Sequence, residues 1–275
     1  MKCILFSSCF IIFGYHVFAQ GLENIIVEKY YVSNKTDANS IGGYLPIGSV
    51  TYRIYVDMLP GYKFQAAFGI PGHELRLATT TLFYNNEDKG GTIPNVIPDA
   101  CLKDNTVMLD SWLSAGGASE SKLGILKSDD DGINTIVSAK NYLQNEDTEA
   151  GIPIKVQDGF VAGIPPRVTS FGIDSAIAVF NNQTIGSVFS TSNGSWATLG
   201  GSIGPTADNM VLIAQLTTNG YFSFELNIQI GTSGGGVEQY VAKNPVGNEI
   251  QVAGLIYPMT NGDGSTKLNK EVPDK

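Results

Sequence analysis

Val50, Tyr52, Ile54, Val56 and Met58 alternate with Thr51, Arg53, Tyr55 and Asp57. A period of two places one set of side chains on each face of an extended strand, and no helix sustains it. The run ends in Leu59-Pro60-Gly61-Tyr62, and Ile70-Pro71-Gly72-His73 repeats the device. In such turns Pro presets φ at the second position and Gly takes positive φ at the third. Val50–Met58, Tyr62–Phe68 and Glu74–Tyr84 are therefore expected as three consecutive antiparallel strands, a meander.

Met210–Thr217 and Tyr221–Ile230 flank Thr218-Asn219-Gly220 and read as a hairpin. A two-residue Asn-Gly loop would pair Gln215 with Phe224 and Leu212 with Asn227, mixing polar and apolar on each face. A three-residue loop with Gly220 left-handed pairs Leu216 with Phe222, Ala214 with Phe224, Leu212 with Leu226 and Met210 with Ile228. Burial fixes register, so the second pairing is expected. Gln215, Ser223, Glu225, Asn227 and Gln229 would then face water. Further strands are expected at Ile25–Val32, Thr106–Leu113, Ser175–Phe180, Ser187–Thr191, Ser195–Leu199, Val237–Ala242 and Glu249–Tyr257. Asp99–Asn105 suits a single helical turn. The stretch 120–167, rich in Asp, Gly and Asn, reads as an elaborated loop region. Short strands punctuated by Gly and Pro indicate an all-β fold, an antiparallel β-sandwich or jelly roll.

Hydrophobic residues make up 43% of the 275 and charged residues 16%. Chains that stay disordered combine low hydrophobicity with high net charge, so this one folds. A net charge of −9 leaves little to neutralise a phosphate backbone and argues against nucleic acid as a partner, so none is expected. At the amino end Lys2, the apolar stretch Ile4 to Val17 and Val17-Phe18-Ala19 before Gln20 have the three-part layout of a secretory signal peptide. Residues 1–19 are expected to be removed, 20–257 to form one β-sandwich domain, and 258–275 to be a flexible polar tail. No later segment reaches the length of a membrane span. Cleavage leaves Cys101 and His73 as the sole Cys and His. A disulfide within the chain and a three-His or Cys-rich zinc site are then both excluded.

Candidate chemistry is sparse. Gly231-Thr232-Ser233-Gly234-Gly235 has the pattern found around the nucleophile of chymotrypsin-like proteases, and His73 and Asp110 precede it in matching order. His73, however, lies in a turn without the usual context, and the glycines read as a loop, so no catalytic residue is assigned. Asp129, Asp130 and Asp131 before Gly132 offer oxygen ligands to calcium, although Lys127 and Ser138 break the EF-hand spacing. Asn86-Glu87-Asp88 is a smaller acidic cluster, Glu146, Asp147 and Glu149 another, and Glu225 is a candidate glycosidase acid on a polar strand face. Trp112, Trp196 and Tyr55 could each stack on a sugar ring if exposed.

Thr51-Tyr52-Arg53-Ile54-Tyr55, Phe68-Gly69, Asp110-Ser111-Trp112, Gly194-Ser195-Trp196 and Val211–Thr217, in that order, resemble a family of uncharacterised secreted bacterial β-domains. Members occur in surface or matrix-type proteins, including type IX secretion cargo. The likeness spans about residues 22–257 and implies an all-β fold and a surface location, with no catalytic residue to carry over. The chain departs from anchored members in having only a short polar stretch after Tyr257. The expected function is a secreted, non-catalytic role in adhesion, matrix structure or glycan binding. The expected partner is an extracellular glycan or surface protein, with no cofactor beyond calcium at Asp129–Asp131. The alternatives are a carbohydrate-active hydrolase, or a surface-assembly component that pairs through a sheet edge.

Overall fold

A computed structural model describes residues 20–35, 37, 42–136, 143, 154, 156–181 and 184–258, and the backbone of 269–271. The expected signal peptide 1–19, the acidic cluster at 146–149 and most of the expected tail lie outside the described residues. The strands are β1 (Leu22–Val32), β2 (Val50–Met58), β3 (Lys63–Gly69), β4 (Leu75–Thr79), β5 (Trp112–Leu113), β6 (Lys122–Gly124), β7 (Phe160–Ala162), β8 (Thr169–Phe171) and β9 (Val188–Thr191). They continue as β10 (Gly194–Ser202), β11 (Met210–Thr218), β12 (Phe222–Glu225), β13 (Ile228–Gly231), β14 (Val237–Val241), β15 (Ile250–Gln251), β16 (Ile256–Tyr257) and β17 (Asn269–Glu271). A central sheet runs β17-β1-β2-β11-β5. The layer facing it is built from two sheets, β15-β14-β13-β3-β10-β8 and β16-β12-β4-β9, and β6 and β7 form a separate pair. The fold is all-β and sandwich-like, as the alternation predicts.

Strand pairing is where the expectation fails. β2, β3 and β4 lie in three different sheets, so there is no meander. β11 pairs with β2 and β5, whereas β12 pairs with β4 and β16, so Thr218–Tyr221 joins two layers and closes no hairpin. The cause is a degeneracy. An arch between facing sheets and a hairpin within one sheet both ask for one apolar face on each strand, so alternation does not separate them. A β-bulge between Leu212 and Ala214 adds a second departure. Val211, Ile213, Ala214 and Leu216 enter the main core, while Leu212 packs on the opposite side. Gly61 and Gly72 take positive φ, as the Pro-Gly turns require.

Gly220 does not take positive φ. What it needs is space. A Cβ there would stand 2.5 Å from the Thr79 and Thr81 hydroxyl oxygens. Those hydroxyls hold Thr218 Oγ1 at 2.7 and 3.0 Å, tying the end of β11 to the end of β4. Gly220→Ala is therefore expected to destabilise the chain by about 1–3 kcal/mol, the range for overpacking. Urea unfolding measures it, and an unchanged midpoint would refute the crowding argument.

The main core lies between the central sheet and the facing layer. Phe83, Phe180, Phe189 and Trp196 form a ring-to-ring chain through it, with centroids 5.4, 5.8 and 5.8 Å apart. The other face of the central sheet is also covered. Tyr30, Tyr55, Trp112 and Leu212 on that face pack against Ile97, Leu102, Leu109 and Leu126 from the segments between β4 and β7, and against Phe160 of β7. The described residues of the stretch 120–167 thus contribute to a third layer, with Leu126, Ile136, Leu143, Ile154 and Phe160 in its apolar contacts.

This layer consists of turns and short helical pieces whose backbone groups need partners. The outer side chains of the central sheet supply them. The Tyr30 hydroxyl donates to the Asp158 carbonyl at 2.7 Å and the Tyr55 hydroxyl to the Ile125 carbonyl at 2.8 Å. Arg53 Nη1 donates to the Gly159 carbonyl at 3.3 Å, and Glu28 accepts the Lys127 N–H at 2.8 Å. Gln215 Nε2 donates to the Met108 and Asp110 carbonyls at 2.9 and 2.8 Å. Gln215, expected in water, is buried for this reason.

Other expectations also change. Thr106–Leu113 is mostly 3-10 turn before the two residues of β5, and Ser175–Phe180 is a short helix followed by a 3-10 turn. Asp99–Lys103 forms the anticipated helical turn. The backbone of Asn269–Glu271, expected in a flexible tail, pairs parallel with Ile25–Val27.

Candidate ligand cleft

One end of the sandwich carries a cleft of about 410 Å³. Its walls come from the loop before β2, the segment after β4, Ile185 and the end of β11. Gly42, Gly43 and Gly48 take positive φ in the loop. Ser33 and Ser49 hydroxyls both donate to the Pro46 carbonyl, at 2.6 and 2.7 Å, and pin the loop to the end of β1. The segment after β4 is held by Tyr84 N–H to the Thr217 carbonyl and Glu87 N–H to the Gly42 carbonyl, both at 2.8 Å.

Tyr44 stands 76% exposed at the cleft, with Leu82 and Ile185 also exposed beside it. Thr81, Asn219 and Glu87 add a hydroxyl, an amide and a carboxylate, and Glu87 is the one charged residue among the described residues of the lining. Asn85 forms part of the wall. Its Nδ2 donates to the Val179 and Thr184 carbonyls at 2.9 and 3.0 Å, and its buried Oδ1 accepts no hydrogen bond.

Below the wall lies Asp110, fully buried, whose carboxylate oxygens accept the Asn86 and Gly91 N–H groups at 2.6 and 2.8 Å. Burial pushes its carboxyl up to about 8 despite those bonds. The neighbouring Tyr84 hydroxyl donates to Thr106 Oγ1 at 2.8 Å, and burial raises it to about 12. These groups order the wall and leave the cleft itself neutral apart from Glu87. The arrangement can hold a small amphipathic ligand through one aromatic face and a few polar contacts.

The residues singled out from sequence lie elsewhere. Trp196 is 0% exposed and donates its indole N–H to the Ser114 carbonyl, and Trp112 is 2% exposed in the outer layer. Tyr55 is buried against Ile125. None of the three rings offers a face to a sugar: the third layer covers Trp112 and Tyr55, and Trp196 lies in the main core between the central sheet and the facing layer.

The three aspartates do not converge. Asp130 is buried, its two oxygens taken by the Gly132 and Gly159 N–H groups at 2.9 and 2.8 Å. Asp131 accepts from the Ile133 N–H and Asp129 from the Ser128 hydroxyl. Among the described residues no group of three or more His, Cys, Asp or Glu side chains is placed to hold a metal ion.

The protease-like set does not assemble. His73 Nε2 lies 3.0 Å from Glu249 Oε2, beyond the carboxyl end of β3. Ser233 neighbours Gly61 at the other end of that strand, and the Asp110 carboxylate is held by the Asn86 and Gly91 N–H groups below the cleft wall. Glu225 pairs with Lys243. The one sequence signal near the cleft is the polar run Asn85 to Asp88. Tyr44, Leu82 and Ile185 carry no motif, since the fold brings them together from distant parts of the chain.

A scan against protein-family models and searches of curated proteins and of solved structures found no match for this chain. The resemblance to secreted surface domains rests on the quoted motifs alone. Among the described residues no helix is long and apolar enough to cross a membrane.

Proposed function

We propose that the chain is a secreted, non-catalytic binding module acting at a cell surface or in its matrix, and that the cleft beside Tyr44 takes a glycan. The observation that carries this reading is the open Tyr44 ring next to a rim of hydroxyl, amide and carboxylate groups. A pyranose presents an apolar C–H face to an aromatic ring and hydroxyls to a polar rim, so the two surfaces match. The leader-like amino end and the acidic composition agree with work outside the cell. The reading calls on no cofactor.

Printed glycans probed with the wild-type chain and with Tyr44→Ala test it. The wild-type chain is expected to bind at least one glycan class, and Tyr44→Ala to bind it about tenfold more weakly, close to 1.4 kcal/mol. The ring is mostly exposed, so the melting temperature should stay unchanged. Equal binding by both chains would remove Tyr44 from the site. Release of reducing sugar by the wild-type chain would replace the binding reading with a hydrolase.

A further inference from the structure

The six-stranded sheet has a second surface. Trp196, Ala67, Ile228 and Tyr240 form one register row across β10, β3, β13 and β14, and all four enter the main core. Side chains alternate along a strand, so the adjacent row must point the other way. That row reads Thr169, Ala197, Ala66, Gln229 and Gln239 across β8, β10, β3, β13 and β14. All five are half-buried on the outer surface. With strands about 4.8 Å apart the row spans roughly 19 Å.

Its chemistry is unusual for the surface of a chain with a net charge of −9, because no member of the row is charged. Gln239 Nε2 donates to Gln229 Oε1 at 3.4 Å, and Gln229 Nε2 donates to Gln65 Oε1 at 2.9 Å. The three amides form a ladder running across the strands. Immobilising a free glutamine on binding costs side-chain entropy, and the ladder has already restricted these. Each amide retains unused donor or acceptor capacity. The alanines at the centre leave a shallow trough. Phe171, exposed on β8 and paired in register with Ser195, stands beside it.

We infer that this row is a second binding surface, for an extended, uncharged polysaccharide lying across the strands. Amides and a hydroxyl exchange hydrogen bonds with sugar hydroxyls in both directions. The absence of cations along the row gives a polyanion nothing to pair with. A repeat of about 4.8 Å between rungs suits a chain whose hydroxyls recur with each sugar. The inference stands on a different face from the cleft, and it does not need the cleft to be occupied.

Electrophoresis through native gels containing hydroxyethylcellulose, mannan, dextran or polygalacturonate tests it. The wild-type chain is expected to be retarded by at least one of the neutral polymers and not by polygalacturonate. Gln229→Ala with Gln239→Ala, and separately Ala197→Glu, should weaken the retardation at least fivefold while Tyr44→Ala leaves it intact. Melting temperatures confirm that each variant folds, and the choice among polymers by the wild-type chain is informative even if one does not. Absence of retardation in all neutral gels would overturn the inference, as would retardation unaffected by the row variants. Retardation lost only in Tyr44→Ala would assign the polymer to the cleft and refute this surface. Self-association of the wild-type chain, abolished by the row variants and seen by sedimentation, would make the face a contact between copies and refute it too.

Discussion

Arg53→Ala is expected to destabilise the chain by about 3–5 kcal/mol, the range for removing one partner from a buried charge network. Arg53 is 0% exposed, on the outer face of the central sheet. Its guanidinium lies 3.5 Å over the Tyr30 ring, donates Nε to Gln215 Oε1 at 2.9 Å, and reaches the Gly159 carbonyl. Gly159 makes room for it, since a Cβ there would stand 2.5 Å from Nη1. Glu28 is its register partner on β1 and is also buried. Truncation would remove the cation, open a cavity and leave a carbonyl, an amide oxygen and the Glu28 carboxylate short of partners. Arg53→Met keeps most of the volume and should cost a similar amount, because the buried Glu28 carboxylate loses one of its cationic neighbours and keeps Lys127. Adding Glu28→Gln to Arg53→Met should then recover part of the loss, a coupling of opposite sign to two independent defects. Urea unfolding at neutral pH measures all three. A loss below about 1 kcal/mol for Arg53→Ala would show that the third layer is held by its apolar contacts alone.

That side chain also shows what the sequence could and could not convey. Alternation along Val50–Met58 located the strand and the inward set Ile54, Val56 and Met58. It also separated Arg53 and Tyr55 onto the other face, which is correct. Water on that face was the reasonable inference for a two-layer sheet and is wrong here. The covering layer has no period to read. Its apolar residues Ile97, Leu102, Leu109 and Leu126 sit in turns and 3-10 pieces, where neither 3.6 nor 2 applies. Strand partners were equally hidden, because apolar faces that meet across a core look the same as faces paired side by side. The bulge at Leu212–Ala214 shifts the face by one residue with no Gly or Pro to announce it. The cleft draws on residues 43 to 219, so only the fold could collect them. What a single sequence conveys is each segment's own conformation. Which segments meet is decided by packing between them.

The second large effect is in pH. Stability should fall as pH rises from about 4 to about 8 and recover above it. Asp110 is held protonated in the folded chain up to about 8, while an exposed aspartate titrates near 4. Below pH 4 both states carry the proton and the contribution of Asp110 is complete. Between those limits the unfolded chain has released a proton that the folded chain keeps, so raising the pH favours unfolding by about 1.4 kcal/mol per unit. Glu28 is also raised by burial, against the pull of Arg53 and Lys127, and acts in the same direction. Lys127 has the opposite sign. Burial lowers its ammonium to about 8, so from there to about 10.4 the unfolded chain binds a proton that the folded chain lacks, and stability rises with pH. The expected curve has its minimum near pH 8. Asp110→Asn should flatten the falling limb to the share left by Glu28 and by Asp37, whose carboxyl burial also raises. It should also be about 1–3 kcal/mol less stable at pH 5, because its NH2 group faces one of the two N–H donors. Urea midpoints between pH 5 and 9.5 decide the matter. A wild-type curve that is level or rises between pH 5 and 8 would mean that the carboxyl at the foot of the cleft is ionised in the folded chain.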